Sequence, residues 1–352
     1  MKTKTRVGLI GAGWIAPYHI KGYRALGERV ELVAIADTDK ERAEKLRAET
    51  GIKHAFNNYR DLLNIKEIDV VDIMLPTFLH AEATIAACQK GKHVLCEKPF
   101  ASTVKECKRM IESAKKAGVL LMPFHNLVFF PSILKAYATL KKGEIGRPVI
   151  YQAKHIFGYP GGNINFLKNN YRGDKSRSGG GAIMEGGPHS IYLAERLMGK
   201  ITRVSARLTS FPAGKLEIEN GGVVLLEFES GATGTITVHW GAGYGDDGKE
   251  VIGTKGAIIV NGIEYQSLRK PPLGIYRDPK GLGHHTSDAS QSWEFPYVDF
   301  DWGQSFVNLI AHFIDCVQNK KEPIVKAGDG QSVIRIVRAI YQSAKQGKCI
   351  KV

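Results

Sequence analysis

Val7-Gly8-Leu9-Ile10-Gly11-Ala12-Gly13-Trp14-Ile15-Ala16 decides the fold. Val7–Ile10 is a short apolar strand. It runs into G-x-G-x-x-A, and a helical pattern follows through Leu26. Gly11 permits a tight turn, Gly13 lets the backbone approach a pyrophosphate, and Ala16 is the small residue that helix–strand packing needs. Trp14 and Ile15 open a helix whose first N–H groups face the phosphates. Pro17 falls in the first turn, where its missing N–H costs little. The motif is weak when it stands by itself. Here a second strand, Val30–Ala36, ends in Asp37, about 20 residues further on, as dinucleotide binding requires.

An acid at that place accepts hydrogen bonds from both ribose hydroxyls of NAD and repels the extra phosphate of NADP. Thr38, Asp39 and Lys40 follow, with no arginine immediately after Asp37, so NAD is the expected cofactor and NADP the lesser alternative. The competing role for Asp37 or Asp39 is to cap the helix Lys40–Glu49. Asp39 can do that and leave Asp37 to the ribose.

Strand and helix keep alternating. Asp69–Leu75 reads as a strand, followed by Pro76-Thr77-Phe78-Leu79-His80 and a helix to Lys90. Pro76, Thr77 and His80 sit after a strand's carboxyl end, where open α/β sheets bind ligands. They are candidate cofactor contacts, although His80, opening a helix, leans structural. His93–Cys96 is a strand that stops abruptly in Glu97-Lys98-Pro99. Pro99 pushes Lys98 toward an extended backbone, so the lysine is held. The Lys98–Pro99 bond is of the kind that can be cis. A surface salt-bridged turn is the competing reading of Glu97 and Lys98. Thr103-x-x-Glu106 is a capping box for a helix to about Ala117, ended by Gly118. Leu120–Phe124 closes the unit. The pattern predicts a doubly wound parallel sheet of the Rossmann type over residues 1–124.

After His125-Asn126 the spacing changes. A helix, Pro131–Leu140, precedes strand-like segments at Val149–Phe157, Ile201–Phe211, Gly222–Glu229, Thr233–Trp240 and Gly256–Val260, with a hairpin turn at Glu229-Ser230-Gly231-Ala232. Helices follow at Ser305–Asn319 and Ser332–Gln346. Residues 125–352 therefore read as an α+β domain with a mostly antiparallel sheet. Within it lies Ser178-Gly179-Gly180-Gly181-Ala182-Ile183-Met184-Glu185-Gly186-Gly187-Pro188-His189, leading into a helix to about Met198. Five glycines favour a backbone that approaches something closely. Glu185 and His189 are four apart, on one face of a helical turn. A carboxylate beside an imidazole is a usual way to prepare a general base. A flexible loop with a surface ion pair is the competing reading.

The composition is that of an ordinary soluble globular chain: 352 residues, 43% hydrophobic and 24% charged. That length suggests about two domains. No apolar run approaches the roughly 20 residues that span a bilayer, and the N-terminus leads directly into a strand, so a cytoplasmic protein is expected. The five cysteines are scattered without metal-ligand spacing, and no metal is expected. His284-His285 lacks acids or cysteines at ligand spacing. The net charge of +14 is spread over mixed-charge helices, without a basic run interleaved with aromatics. Neither nucleic acid nor membrane is expected as a partner. Trp240, Trp293 and Trp302 read as core or interface residues.

Taken together, these residues resemble the glucose–fructose oxidoreductase / inositol dehydrogenase / MocA family over nearly the whole chain. The resemblance is carried by Gly11-Ala12-Gly13 with Asp37, Pro76-x-x-x-His80, and Gly91-Lys92-His93-Val94-Leu95-Cys96-Glu97-Lys98-Pro99. Gly143-Glu144-Ile145-Gly146-x-Pro148, Ser178-Gly179-Gly180-Gly181-Ala182 with His189, and Gly328-Asp329-Gly330…Ala339-Ile340-Tyr341-x-Ser343-Ala344 complete it. It implies a large open sheet in the second domain and a homodimer or homotetramer through that sheet. It implies hydride transfer between a sugar or cyclitol hydroxyl carbon and the nicotinamide. Lys98 is implied near the nicotinamide ribose and the reacting oxygen, and His189 as proton acceptor. One departure is Glu185, where inositol-dehydrogenase-like members carry aspartate; glutamate keeps the charge and adds a methylene.

The expected site is thus Lys98, His189 and Glu185 for catalysis, with Gly11, Gly13, Trp14, Ile15, Asp37, Pro76, Thr77, His80, Glu97 and Lys98 for the cofactor. Asn126, His155, Tyr171 and Arg172 are candidate substrate contacts. Two alternatives remain open: a redox-neutral NAD-dependent glycosidase that oxidises transiently, and a non-catalytic nucleotide-sensing protein on the same fold.

Overall fold

The computed structural model describes residues 4–157, 167, 170–210, 217–242, 245–261, 271–278, 293–298 and 301–352. His284 and His285 lie outside the described residues. The chain forms two compact units, Met1–Asn126 with Gly303–Ile334, and Leu127–Trp302 with Arg335–Val352. Among the described residues no helix is long and apolar enough to cross a membrane.

The first unit alternates strand and helix: β1 (Thr5–Ile10), α1 (Ala16–Arg24), β2 (Val30–Ala36), α2 (Lys40–Thr50), β3 (His54–Phe56), α3 (Tyr59–Leu63), β4 (Val70–Ile73), α4 (Thr77–Gln89), β5 (His93–Cys96), α5 (Val104–Ala117) and β6 (Leu121–Pro123). The six strands are parallel, in the order β3-β2-β1-β4-β5-β6. Helices cover both faces, which is why β4 and β5 read as continuous short runs rather than alternating ones. The chain order reverses between β1 and β4, and a ligand crevice forms outside the strand ends there. The capping box of α5 is present: Thr103 Oγ1 accepts from Glu106 N at 3.2 Å, and Glu106 Oε2 accepts from Thr103 N at 2.8 Å. Gly118 ends the helix at φ 67°.

Most of the helix Trp302–Asn319 belongs to this first unit, although it follows the second half in sequence. Its apolar face explains the placement. The Phe306 ring lies 5.1 Å from Phe124 and 5.6 Å from Tyr18. Gly22 gives it room, since a Cβ there would come within 2.5 Å of Ile310 Cδ1.

The second unit holds α6 (Pro131–Lys141) and a nine-stranded sheet: β7 (Pro148–Phe157), β8 (Ile201–Thr209), β9 (Gly221–Phe228), β10 (Thr233–Trp240), β11 (Lys249–Gly253), β12 (Gly256–Val260), β13 (Leu273–Arg277), β14 (Trp293–Glu294) and β15 (Ile350–Lys351). The order is β14-β13-β12-β11-β7-β10-β9-β8-β15; β7 and β10 run parallel and the other pairs antiparallel. Gly231, at φ 84°, makes the hairpin turn between β9 and β10. Strand alternation gives the sheet two unlike faces. Tyr151, Ala153 and His155 of β7 point to the buried face, where Tyr151 Oη donates to Ser190 O at 3.1 Å on the helix Gly187–Met198. On the other face Ile150, Val223 and Leu225 are exposed.

Candidate active site

The turn between β1 and α1 has the shape that a pyrophosphate needs. Gly11 sits at φ +107°, and a Cβ there would lie 2.5 Å from Met74 O. A Cβ on Gly13 would meet nothing within 4 Å, so open space lies beside that backbone. Ile15 caps α1, Ala16 is buried in its first turn, and Trp14 remains 62% exposed beside the opening. These features fit a dinucleotide.

Asp37 is tied down on both oxygens. Oδ2 accepts from Ala12 N at 2.8 Å, and Oδ1 accepts from Asp39 N at 2.9 Å and from Arg42 Nη2 at 3.0 Å. Asp39 caps α2 by accepting from Arg42 N at 3.1 Å. Arg42 was absent from the sequence-derived site. It lies five residues beyond Asp37, and the first turn of α2 folds it back. Helical periodicity was the available signal.

At the end of β5, the Lys98–Pro99 bond is cis. Glu97 is buried, and its Oε2 accepts from Lys98 N at 2.8 Å. Its Oε1 lies 3.1 Å from His19 Nε2, and His19 Nδ1 lies 2.7 Å from Asp72 Oδ2. Burial opposes a charge on His19, but the charge and hydrogen bond of Asp72, then those of Glu97, outweigh it and raise the imidazole to about 9. Burial raises the Glu97 carboxyl; the His19 hydrogen bond and charge, then Lys98, reverse this and leave it below its ordinary value. His19 and Asp72 were also absent from the sequence-derived site.

His80 is fully buried, with Nδ1 2.8 Å from Pro99 O and Nε2 2.7 Å from Leu75 O. It ties the Glu-Lys-Pro turn to the loop after β4, a structural place. Thr77 is buried in the first turn of α4, and Pro76 caps that helix. Asn126 is buried in the first unit, and its Nδ2 donates to Ser305 Oγ at 3.1 Å.

The second unit gathers Glu185, His189, His155, Tyr171 and Arg172. Glu185 ends the short helix Ala182–Glu185, Gly186 follows with αR backbone, and His189 lies in the first turn of Gly187–Met198. Glu185 and His189 are both buried. The His155 ring lies 5.7 Å from the His189 ring and 4.1 Å from Phe157. Gly186 is required beside it, since a Cβ there would come within 2.4 Å of His155 Cδ2. Arg172 Nε donates to Glu185 Oε2 at 3.4 Å, and its guanidinium lies 4.7 Å from the Tyr171 ring centroid. Among the described residues no three His, Cys, Asp or Glu side chains form a metal-binding group.

Glu219 anchors the glycine triplet, and the sequence offered no sign of it. Its Oε1 accepts from Gly181 N at 2.9 Å, Ile183 N at 3.0 Å and Tyr341 Oη at 2.7 Å. Its backbone oxygen accepts from Ala182 N at 3.0 Å, and Arg338 Nη1 donates to Gly179 O at 3.0 Å. Burial raises the Glu219 carboxyl, although the Tyr341 and backbone hydrogen bonds oppose it.

Comparison with known proteins agrees with this geometry. Residues 5–125 match the Gfo/Idh/MocA oxidoreductase family's NAD-binding Rossmann fold, and residues 138–352 match its C-terminal alpha/beta domain. The chain is 25% identical to levoglucosan dehydrogenase of Pseudarthrobacter phenanthrenivorans, over 98% of this chain and 97% of that one. It is 28% identical to scyllo-inositol 2-dehydrogenase (NAD(+)) of Bacillus subtilis, over 99% and 96%. A solved complex of levoglucosan dehydrogenase with NADH superposes with a TM-score of 0.87, at 25% identity and 99% coverage of both chains.

Proposed function

Because the chain belongs to the glucose–fructose oxidoreductase / inositol dehydrogenase / MocA family of oxidoreductases, we propose that it dehydrogenates a hydroxyl carbon of a sugar, sugar derivative or cyclitol, with NAD as acceptor. The observation that carries this is in the parallel sheet. Lys98 leaves the carboxyl end of β5 with its N–H on Glu97, and the same sheet holds the dinucleotide turn at Gly11–Gly13.

Bound NAD supplies the hydride acceptor. The Asp37 carboxylate would accept from the adenosine ribose hydroxyls, which supports NAD over NADP. His189 accepts the proton of the substrate hydroxyl at an imidazole nitrogen. Glu185 steadies the imidazolium, and Arg172 Nε pairs with Glu185 Oε2 at 3.4 Å. Lys98 donates to the substrate oxygen as negative charge develops on it; a prearranged donor of this kind acts mainly on the transition state. Among the candidate substrate contacts, His155 beside His189, Arg172 beside Glu185 and Tyr171 beside Arg172 are assigned to substrate.

The exposed sheet face supports self-association. Thr237 pairs with Val223 and Thr235 with Leu225 between β10 and β9, placing two apolar side chains in one row on that face. A homodimer or homotetramer that covers them is the assembly we assign.

The test is NADH formation by the purified protein with NAD and a panel of inositols, aldoses, anhydrosugars and glycosides. Steady NADH growth with one group supports the reading and gives the substrate class. Free sugar released from a glycoside without NADH accumulation would transfer the site to redox-neutral glycosidase chemistry.

A further inference from the structure

His19 projects from α1 into the core of the first unit, and each ring nitrogen meets a carboxylate oxygen. A neutral imidazole carries one N–H and one lone pair, whereas an ionised carboxylate only accepts. A neutral His19 would therefore set a nitrogen lone pair against an oxygen lone pair. An imidazolium satisfies both contacts with charge-assisted bonds. The ring has no room to turn away. It stacks on Phe124, with centroids 4.2 Å apart, and meets Phe306 edge-on at 5.4 Å.

We propose that His19 is a positioning residue for Lys98: as an imidazolium tied to Asp72 on β4, it fixes the Glu97 carboxylate whose other oxygen holds the Lys98 backbone. The inference deepens the reading above and rests on the role of Lys98 given there. A buried ionic cluster of this type adds little net stability over apolar packing. What it supplies is direction. Asp72 is fixed in the middle of β4, so the chain of contacts Asp72–His19–Glu97–Lys98 carries the rigidity of the sheet to the lysine.

The surrounding groups agree. On α1, burial and then the Asp72 charge hold the Tyr23 phenol well above its ordinary value. On β5, burial does the same to the Cys96 thiol. After β6, burial lowers His125 to about 3, which leaves it neutral. The charged side chains facing His19 are therefore Asp72 and Glu97, with Lys98 beyond them.

The test uses His19→Gln, Glu97→Gln and the double variant of the full chain. Circular dichroism checks folding. Acetylation of Lys98 by an N-hydroxysuccinimide ester is read by mass spectrometry against the exposed Lys45. NADH affinity is read by fluorescence, and kcat with whichever panel substrate the wild type oxidises. His19→Gln is expected to change Lys98 acetylation at least about threefold and lower kcat at least about tenfold, as small misplacements do. NADH affinity stays within about threefold. The double variant is expected to match Glu97→Gln alone, because residues acting through one contact are not additive. Additive losses, or unchanged Lys98 acetylation in a folded His19→Gln, would overturn the proposal. If His19→Gln does not fold, Glu97→Gln carries the test, and unchanged Lys98 acetylation in it is equally contrary. Acetylation needs no substrate, so absence of turnover in the wild type would count against the dehydrogenase reading and leave this result standing.

Discussion

Arg42 Nη2 donates to Asp37 Oδ1 at 3.0 Å, across the start of α2. The acid we assign to NAD preference thus has a guanidinium beside it. Removing the acid leaves that cation, about half exposed, where a 2′-phosphate would lie. Asp37→Ser is expected to raise KM for NAD at least about tenfold, the equivalent of one hydrogen bond to a charged group. Use of NADP should rise in parallel. Initial rates with both cofactors measure this, and a variant that still prefers NAD as strongly as the wild type would contradict it.

Glu185 is buried, and Arg172 is its ion-pair partner. Glu185→Gln keeps the shape and removes the charge to which we assign the steadying of His189. It is expected to lower kcat by about a hundredfold, the lower end for lost general-base support. Glu185→Asp keeps the charge and should retain more activity than Glu185→Gln. Steady-state kinetics on the two variants decide this, and equal losses would show that the charge is not what matters.

Stability should peak near pH 6.5. His19 is raised from 6.5 to about 9, so its contribution is complete below 6.5 and is lost as pH rises through about 9. His125, lowered to about 3, must stay neutral in the fold, so stability falls as pH drops below 6.5 toward 3. Glu97, lowered from 4.5, deepens that acid side, because its contribution is present above 4.5 and lost as pH falls through its folded value. The alkaline loss is on the order of 3 kcal/mol at its largest. Urea unfolding across this range measures it, with His19→Gln expected to flatten the alkaline limb. An alkaline limb identical in both proteins would contradict the assignment.

Gly181→Ala would place a Cβ 1.8 Å from Glu219 O, and Gly180→Ala one 1.9 Å from Tyr341 Oη at φ +157°. Each should destabilise the second unit by about 1–3 kcal/mol, as overpacking does, and displace the segment leading to Glu185. Denaturant midpoints together with kcat/KM check both effects. Wild-type values for Gly181→Ala would mean that the triplet is not held by Glu219.

Much of the scaffold was legible because the relevant signals are local. Val30–Ala36, His93–Cys96, Thr233–Trp240 and Gly256–Val260 are apolar or alternating runs closed by turn residues, and they form strands over the same residues. β3, with three residues, is too short to show a period, and β11 opens on Lys249-Glu250, which masks its alternation. The parts of the site missed were tertiary. Asp72 interrupts Val70-Val71-Asp72-Ile73, and a charge inside a strand buried on both faces requires a partner. His19 shares a helical face with Ala16, Ile20 and Tyr23, all buried. Each is a visible oddity, but only the fold pairs them. Glu219 stands out by neither period nor motif, and its role exists only because β9 follows beside the glycine triplet.

The most direct measurement is NADH formation by the wild type, Lys98→Ala and His189→Ala side by side, with the substrate that the panel identifies. Wild type should form NADH steadily. Both variants should fall at least about a hundredfold, as expected for loss of a proton-transfer or oxyanion-stabilising group, while NADH affinity stays within about threefold. Turnover near the wild-type rate in either variant would contradict the roles assigned to Lys98 and His189.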